Sequence, residues 1–477
     1  MRTAFGVETV RTAERELMAR LPEGALMQRA AAGLAAACAE LLGRVYGKRV
    51  VLLVGGGDNG GDALYAGARL ARRGAGVTAV LLAPERAHEG GLKALRAAGG
   101  RVSAAAERDI AGADLVLDGI VGIGGKGGLR PAAAQLMGAV RESGALVVAV
   151  DLPSGVEADT GEVLGDAVRA DATVTFGTYK PGLLIDPARE RAGAVRLIDI
   201  GLGLPAVPEL EALQYADVAA LLPVPGASSD KYRRGVVGIA AGSARYPGAA
   251  VLAVAGALRS GAGAVRYVGP AADAVIARFP EALVHAGPPS RAGRVQAWVV
   301  GPGLGDDAHG REQLRDVLAA DVPVLVDADG LRLADPEVVR ARTAPTLLTP
   351  HAGEAAALLG VERSEVEAGR LAAVRRLAAE YRAAVLLKGA TTLVAGPEGG
   401  PVRVNPTGTS WLATAGSGDV LAGLAGALLA AGLTAVDAGS VGAYLHGLAA
   451  RLAAQGAPVG AQDVAAAIPA AWRDVRG

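Results

Sequence analysis

The chain has 477 residues, 51% apolar and 20% charged, with 48 basic and 48 acidic side chains in balance. That length exceeds one ordinary core and predicts two or three domains of globular composition. The charge balance argues against broad electrostatic binding to nucleic acid or anionic membrane, and 3% aromatics supply no stacking platforms for single strands.

The single cysteine, Cys38, excludes an intrachain disulfide framework and argues against a cysteine zinc site. In AAAGLAAACAELLG it reads as a small core residue. No charged n-region followed by an apolar h-region opens the chain, so no secretory signal is expected and a reducing, cytoplasmic setting fits. The longest uncharged run, residues 420–436, falls short of a comfortable membrane span and is expected to be a buried helix.

In chain order, Leu26, Ala30, Leu34, Ala37 and Leu41 recur at helical spacing and predict an amphipathic helix over 12–42. Residues 49–54 read as a buried strand ending in Gly55-Gly-Gly57, with a helix expected over 63–74. Apolar runs at 77–82, 115–117, 146–150, 173–176 and 195–200, most separated by helical stretches, predict a doubly wound, largely parallel sheet. Prolines in GLPAVP (203–208) and LPVPG (222–226) mark a boundary. A second series then begins, with strands expected at 236–241, 264–268, 297–300, 324–326, 346–349, 385–387 and 391–395. The fold class is α/β, in two domains cut near residue 212.

Ligands of open parallel sheets sit outside the carboxyl ends of strands. Three such ends in the first half carry polar chemistry: GGGDNGGD (55–62), Asp118 with GIVGIGGKGG (119–128), and DLPSG (151–155). Backbone amides of the two glycine loops, with Lys126, suit phosphate, and the oxygens of Asn59, Asp118 and Ser154 could meet around a cation. Tight turns with capping acids are the simpler account of any one loop; three at adjacent strand ends favour a ligand site. The G-x-G-x-x-G spacing of dinucleotide folds does not fit cleanly.

GDNGGD, DGIVGIGGKGG and DLPSG together resemble the NAD(P)H-hydrate epimerase domain over residues 1–212, a Rossmann-like fold. Members interconvert the two epimers of hydrated NADH or NADPH (NADHX and NADPHX). The resemblance implies a substrate pyrophosphate on Asp58, Asn59, Gly60, Gly61 and Asp62 and on Gly122, Ile123, Gly124, Gly125, Lys126, Gly127 and Gly128. It sets Asp151 against the hydrated ring, makes Asp151 and Lys126 the catalytic candidates, and puts K+ on Asn59, Asp118 and Ser154. Asp58 stands where the family usually has asparagine, and Ala63 where it has glycine.

In the second half, TAGSGDVLAG (414–423) sets Asp419 among glycines that open a helix. A helix N-terminus stabilises anionic charge, and an acid beside it can take a proton from an attacking hydroxyl. Asp419 reads as that base, or as a helix cap. No Walker motif occurs. GPGLG (301–305), LTPHAGE (348–354) and LKGATT (387–392) add loops, a histidine, a lysine and hydroxyls at strand ends. Asp327 and Asp329 suit either a magnesium shell or a turn.

In that order, with NPTG (405–408), these motifs resemble the ADP-dependent NAD(P)H-hydrate dehydratases, of ribokinase-like fold, over residues 213–477. The resemblance implies ADP on Lys388, Gly389, Ala390, Thr391, Thr392 and Gly418, with Mg²⁺ accompanying ADP. It implies the hydrate on Ala250, Gly303, His351 and Asp419, with Asp419 deprotonating the ring hydroxyl. The fusion resembles the bacterial bifunctional nicotinamide-nucleotide repair enzymes, and a cytoplasmic homo-oligomer acting on small molecules is expected. A ribokinase-like small-molecule kinase with an N-terminal nucleotide-binding scaffold is the alternative.

Overall fold

The computed structural model describes all residues, Met1–Gly477. The chain forms two compact units, Thr3–Glu209 and Leu210–Gly477, the second including Met1–Arg2.

The N-terminal unit is built on a seven-stranded sheet. Its order is Arg101–Val102, Gly76–Leu81, Arg49–Val54, Leu115–Gly119, Leu146–Val150, Ala172–Phe176 and Ala194–Ile198, all parallel. Alternation sends successive side chains to opposite faces. Val50, Leu52 and Val54 meet Leu34 and Cys38 of helix Ala25–Leu42 and Leu64 of helix Asp58–Arg72 in one core layer. Val51 and Leu53 join Leu136 and Val140 of helix Pro131–Ser143 in the other. Cys38 is buried, and burial pushes its thiol up to about 12, so it serves packing alone.

The helix expected over 12–42 is two helices, Val7–Met18 and Ala25–Leu42. Pro22 and Gly24, the latter at φ 73, lie in the break between them. The helix expected from 63 begins at Asp58, so residues 58–62 form its opening turns.

The C-terminal sheet has eleven strands. From Leu283–His285 through Ala264–Val268, Val236–Ala240, Ala297–Val300, Val324–Val326 and Thr346–Leu348 to Ala384–Leu387 it is parallel. Thr392–Ala395 is antiparallel to both its neighbours, Ala384–Leu387 and Val402–Asn405, and Leu210–Ala212 and Arg2–Ala4 complete the edge. Helices Pro247–Arg259 and Ser417–Ala430 pack backbone to backbone. A Cβ on Gly423 would stand 1.9 Å from Ala253 O, and one on Gly256 2.2 Å from Val420 O. The glycines therefore set that spacing. The uncharged run at 420–436 lies mainly in the buried helix Ser417–Ala430. Ala25–Leu42 is long and apolar enough to cross a membrane by composition, yet its Leu34 and Cys38 belong to the sheet core.

Candidate functional site

In the N-terminal unit the chain leaves Arg49–Val54 for Gly76–Leu81 on one side and later returns to Leu115–Gly119 on the other. The crevice outside the carboxyl ends of that diverging pair is where such sheets bind ligands. Helix Asp58–Arg72 opens there, and Asp58 in its first turn is exposed and complements the positive helix end.

Asp118 is fully buried at its strand end. Ser154 donates to it twice, through its amide to Oδ2 (2.8 Å) and its hydroxyl to Oδ1 (2.6 Å). No cationic side chain offsets its charge, and burial pushes its carboxyl up to about 6 despite those donors. Asn59 lies beside the same loop, since a Cβ on Gly122 would stand 2.9 Å from Asn59 Oδ1. Asn59 Nδ2 is buried without a partner. Asn59, Asp118 and Ser154, separate in sequence, thus gather around the Leu115–Gly119 strand end.

Asp151 follows strand Leu146–Val150 in a left-handed backbone, φ 66, which costs a non-glycine residue about 1–2 kcal/mol. Its Oδ1 accepts from Lys180 Nζ (2.5 Å), Thr175 Oγ1 (2.9 Å) and the Phe176 amide (3.3 Å). Lys180 is 1% exposed and also donates to Thr175 Oγ1 and the Phe176 carbonyl. The lysine bonded to Asp151 is therefore Lys180, whereas Lys126 stands exposed on its glycine loop. Lys180 was not among the sequence candidates; its signal was TYKPG just past strand Ala172–Phe176, a fourth polar strand end.

Asp62 and Glu14 complete an acidic neighbourhood. Burial first, then Asp151, Asp58 and Glu14, raise Asp62 well above the carboxylate range, and its Oδ1 is buried without a partner. Glu14, on helix Val7–Met18, is raised by burial, countered by Lys180 and reinforced by Asp151 and Asp58. Burial and neighbouring acids thus favour the protonated form of Asp62, in the same crevice as the lysine-paired Asp151.

Loop 122–128 is less open to phosphate than its glycines suggest. The Gly127 amide donates to Glu157 Oε1 (2.6 Å) and the Gly125 amide to the Gly122 carbonyl (3.0 Å). Ile123 packs on the apolar cluster around Leu152. Gly124 and Lys126 are exposed, and Gly128 packs close to the Gly165 backbone.

In the C-terminal unit the site gathers at the carboxyl ends of the parallel strands. Asp327 follows Val324–Val326, is 1% exposed, and accepts from Thr349 Oγ1 (2.9 Å) and Lys388 Nζ (2.7 Å). Lys388 also lies 3.6 Å from Glu354 Oε2. Burial opposes its charge, but Asp327 and Glu354 outweigh that and raise its pKa. Asp419 sits in the first turn of Ser417–Ala430, a helix without any side-chain cap, so its carboxylate is not spent on capping. Burial and then Asp327 push Asp419 up to about 7, against the pull of Lys388. A Cβ on Gly418 would fall 3.4 Å from Lys388 Nζ, which brings the glycine turn, lysine and acids together.

Several expected contacts take another form. Thr391 and Thr392 are buried, and the Thr392 hydroxyl donates to the Gly389 carbonyl (3.3 Å), so neither offers an exposed hydroxyl to a nucleotide; Gly389 and Ala390 are exposed. Ala250 is fully buried in Pro247–Arg259, so neither its side chain nor its backbone is exposed to a ligand. His351 caps helix Ala352–Leu359, its Nδ1 accepting from the Gly353 (3.0 Å) and Glu354 (3.2 Å) amides, and its Nε2 lies 3.5 Å from Glu354 Oε1. Gly303, at φ 60, packs against Ala249 and Tyr246. Asp329 accepts from the Gly305 amide (2.9 Å) and so shapes the GPGLG turn. His446 is buried, and burial lowers it to about 4.

A parallel sheet with acids, a lysine and a glycine-opened helix at its strand ends defines an α/β enzyme with a ribokinase-like C-terminal domain. Residues 237–470 match the sequence model of the NAD(P)H-hydrate dehydratase family, and residues 23–182 that of the YjeF-related protein N-terminus. The bifunctional NAD(P)H-hydrate repair enzyme Nnr of Mycobacterium leprae is 52% identical over 460 residues, covering 95% of this chain and 94% of its own. Its counterpart in Corynebacterium glutamicum is 36% identical over 100% of this chain and 99% of its own. The ADP/ATP-dependent NAD(P)H-hydrate dehydratase of Bacillus subtilis, crystallised with ATP and Mg²⁺, superposes with a TM-score of 0.52 at 30% identity, over 56% of this chain and 99% of its own. The chain belongs to the bifunctional NAD(P)H-hydrate repair enzymes, joining an epimerase and a dehydratase.

Proposed function

We propose that the N-terminal crevice equilibrates the R and S epimers of NADHX and NADPHX, and that the C-terminal site dehydrates the S form with ADP, releasing AMP and phosphate. The observation that supports the second step most is Asp419, uncapped at a helix start and raised to about 7 beside Lys388. A base with that pKa is half ionised near neutral pH and can take the ring hydroxyl's proton as the oxygen attacks the terminal phosphorus. Phosphate then leaves the ring more easily than hydroxide would. Lys388 offsets charge on the phosphoryl group, and Mg²⁺ enters with the nucleotide.

In the epimerase, Asp151 is oriented by Lys180 and Thr175, and burial with the neighbouring acids favours the protonated form of Asp62. The pair manages the proton exchanged as the hydroxyl leaves and returns. The buried, uncompensated Asp118 with Asn59 and Ser154 suits a monovalent cation by its all-oxygen donor set. Bound there, K+ would supply charge balance and hold the loop that follows Asp118.

Incubating the chain with both NADHX epimers, ADP and Mg²⁺ should regenerate all the NADH, with AMP and phosphate released. Permanent survival of half the pool removes the epimerase. A stable phosphorylated alcohol formed from ATP would instead favour a kinase.

A further inference from the structure

The loop between strands Ala384–Leu387 and Thr392–Ala395 is held from behind by one buried guanidinium. Arg370, at the start of helix Arg370–Tyr381, is 6% exposed. Its Nη2 donates to the carbonyls of Leu387 (3.3 Å), Lys388 (3.1 Å) and Thr391 (3.0 Å). The contact is close enough that a Cβ on Gly389 would stand 2.4 Å from Nη2. Of the remaining two carbonyls, that of Gly389 accepts from Thr392 Oγ1, and that of Ala390 packs against Gly408, where an added Cβ would approach it to 2.5 Å.

Gly408 belongs to a second loop held in the same way. Arg451 Nε donates to the Thr407 carbonyl (2.5 Å), and Nη2 to those of Pro406 (3.1 Å) and Gly408 (3.1 Å). Two loops thus meet at Gly408 and Ala390, each with three carbonyls turned onto an arginine.

A trans peptide points its N–H opposite its C=O. With the carbonyls of Lys388 and Gly389 turned inward, the amides of Gly389 and Ala390 face the other way; Gly408 and Thr409 follow by the same rule from Thr407 and Gly408. Gly389 and Ala390 are exposed and directly follow Lys388 in the chain. Amides presented together beside a lysine make an anion-binding concavity. A guanidinium behind the carbonyls adds charge of the same sense, and burying it is costly unless its donors are used.

We infer that Arg370 and Arg451 are positioning residues that orient these two loops as a backbone cradle for the phosphates of a nucleoside diphosphate. This rests on the nucleotide reading of the C-terminal site. It also accounts for the burial of the Thr391 and Thr392 side chains: the cradle works through main chain, and their hydroxyls are not needed in it.

The test uses the full-length enzyme and separates the KM for ADP from the KM for the hydrate. Arg370→Met should raise the ADP KM about tenfold or more while leaving the hydrate KM within about twofold, because only the phosphate donors are misaligned. Arg370→Lys should recover part of the loss, since an ammonium reaches fewer carbonyls in that geometry. Gly389→Ala, which keeps the arginine but drives a methyl onto it, should act in the same direction, and Arg451→Met more weakly because Arg451 is exposed. Epimerase activity should be unchanged throughout. An unaltered ADP KM in both Arg370→Met and Gly389→Ala overturns the inference. So does an equal rise in both KM values with a lowered melting temperature, which marks mere structural support. If Arg370→Met fails to fold, Gly389→Ala and Arg451→Met decide by the same readout. A wild-type enzyme without ADP-dependent turnover removes the nucleotide reading itself.

Discussion

Lys180 Nζ lies 2.5 Å from Asp151 Oδ1, and the pair is buried at the mouth of the N-terminal crevice. Removing one partner of a buried pair leaves an uncompensated charge, so the two act as a unit. Lys180→Met should therefore depress epimerase kcat by about 10²- to 10⁴-fold, the range of a mispositioned acid–base group. Lys126→Met removes an exposed charge and should raise KM in a salt-dependent way with little effect on kcat. Epimer exchange followed by NMR distinguishes the two. If Lys126→Met is the variant that loses kcat, Lys126 and not Lys180 serves Asp151 during the reaction.

Asp58 puts an exposed negative charge at the opening of helix Asp58–Arg72, close enough to Asp62 to raise it. It strengthens the free helix end but repels an anionic ligand brought to that end. Asp58→Asn keeps a short polar side chain and removes the repulsion. The substrate KM should fall by about two- to tenfold at low ionic strength and by less near 0.5 M salt, where the Debye length shrinks to a few ångströms. A KM that rises would mean that the carboxylate contacts the substrate directly.

The parallel strands were legible because buried β-branched runs such as Val-Val-Leu-Leu-Val have one stable home, and several match to the residue: Leu146–Val150, Ala264–Val268, Ala297–Val300 and Val324–Val326. Arg101–Val102, Leu210–Ala212 and Leu283–His285 escaped because each is short and interrupted by a charged or polar residue, leaving neither a periodicity nor a wholly apolar run such as Val324–Val326. Glycine-marked strand ends pointed to Asp118 and Asp151, and a glycine-opened helix to Asp419. Lys180, Glu14 and Arg370 were hidden because their importance lies in what tertiary packing brings to them: a carboxylate from another strand end, an acid cluster from another helix, three carbonyls from a loop. The amides of Gly125 and Gly127 read as phosphate donors for the complementary reason, since Glu157, far off in sequence, is what occupies Gly127.

Potassium should matter to one activity and not the other. Ser154 donates its hydroxyl to Asp118 and accepts from the Val121 amide (3.0 Å), so it ties the acid to the loop that follows. Exchanging K+ for tetramethylammonium, too large for such a pocket, should slow epimer exchange while dehydration of pure S epimer continues. Ser154→Ala should shift the K+ dependence to higher concentration. Equal epimerase rates in both salts would remove the cation from Asn59, Asp118 and Ser154.

The dehydratase should titrate with Asp419. A base must be ionised to act, so kcat/KM for the hydrate should rise with pH along an acid limb centred at about 7, then level off. The neighbours fix the direction in which that limb moves. Asp327 raises Asp419, so Asp327→Asn should carry the limb to lower pH; Lys388 lowers it, so Lys388→Met should carry it higher. Both variants will also lose rate, because each leaves a partner of the 2.7 Å Lys388–Asp327 pair unmatched, but the opposite displacements are independent of that loss. Asp419→Asn should abolish the limb and lower the rate by about 10²- to 10⁴-fold. A limb that stays at about 7 in Asp419→Asn would assign the titration to another group and take the proton transfer away from this carboxylate.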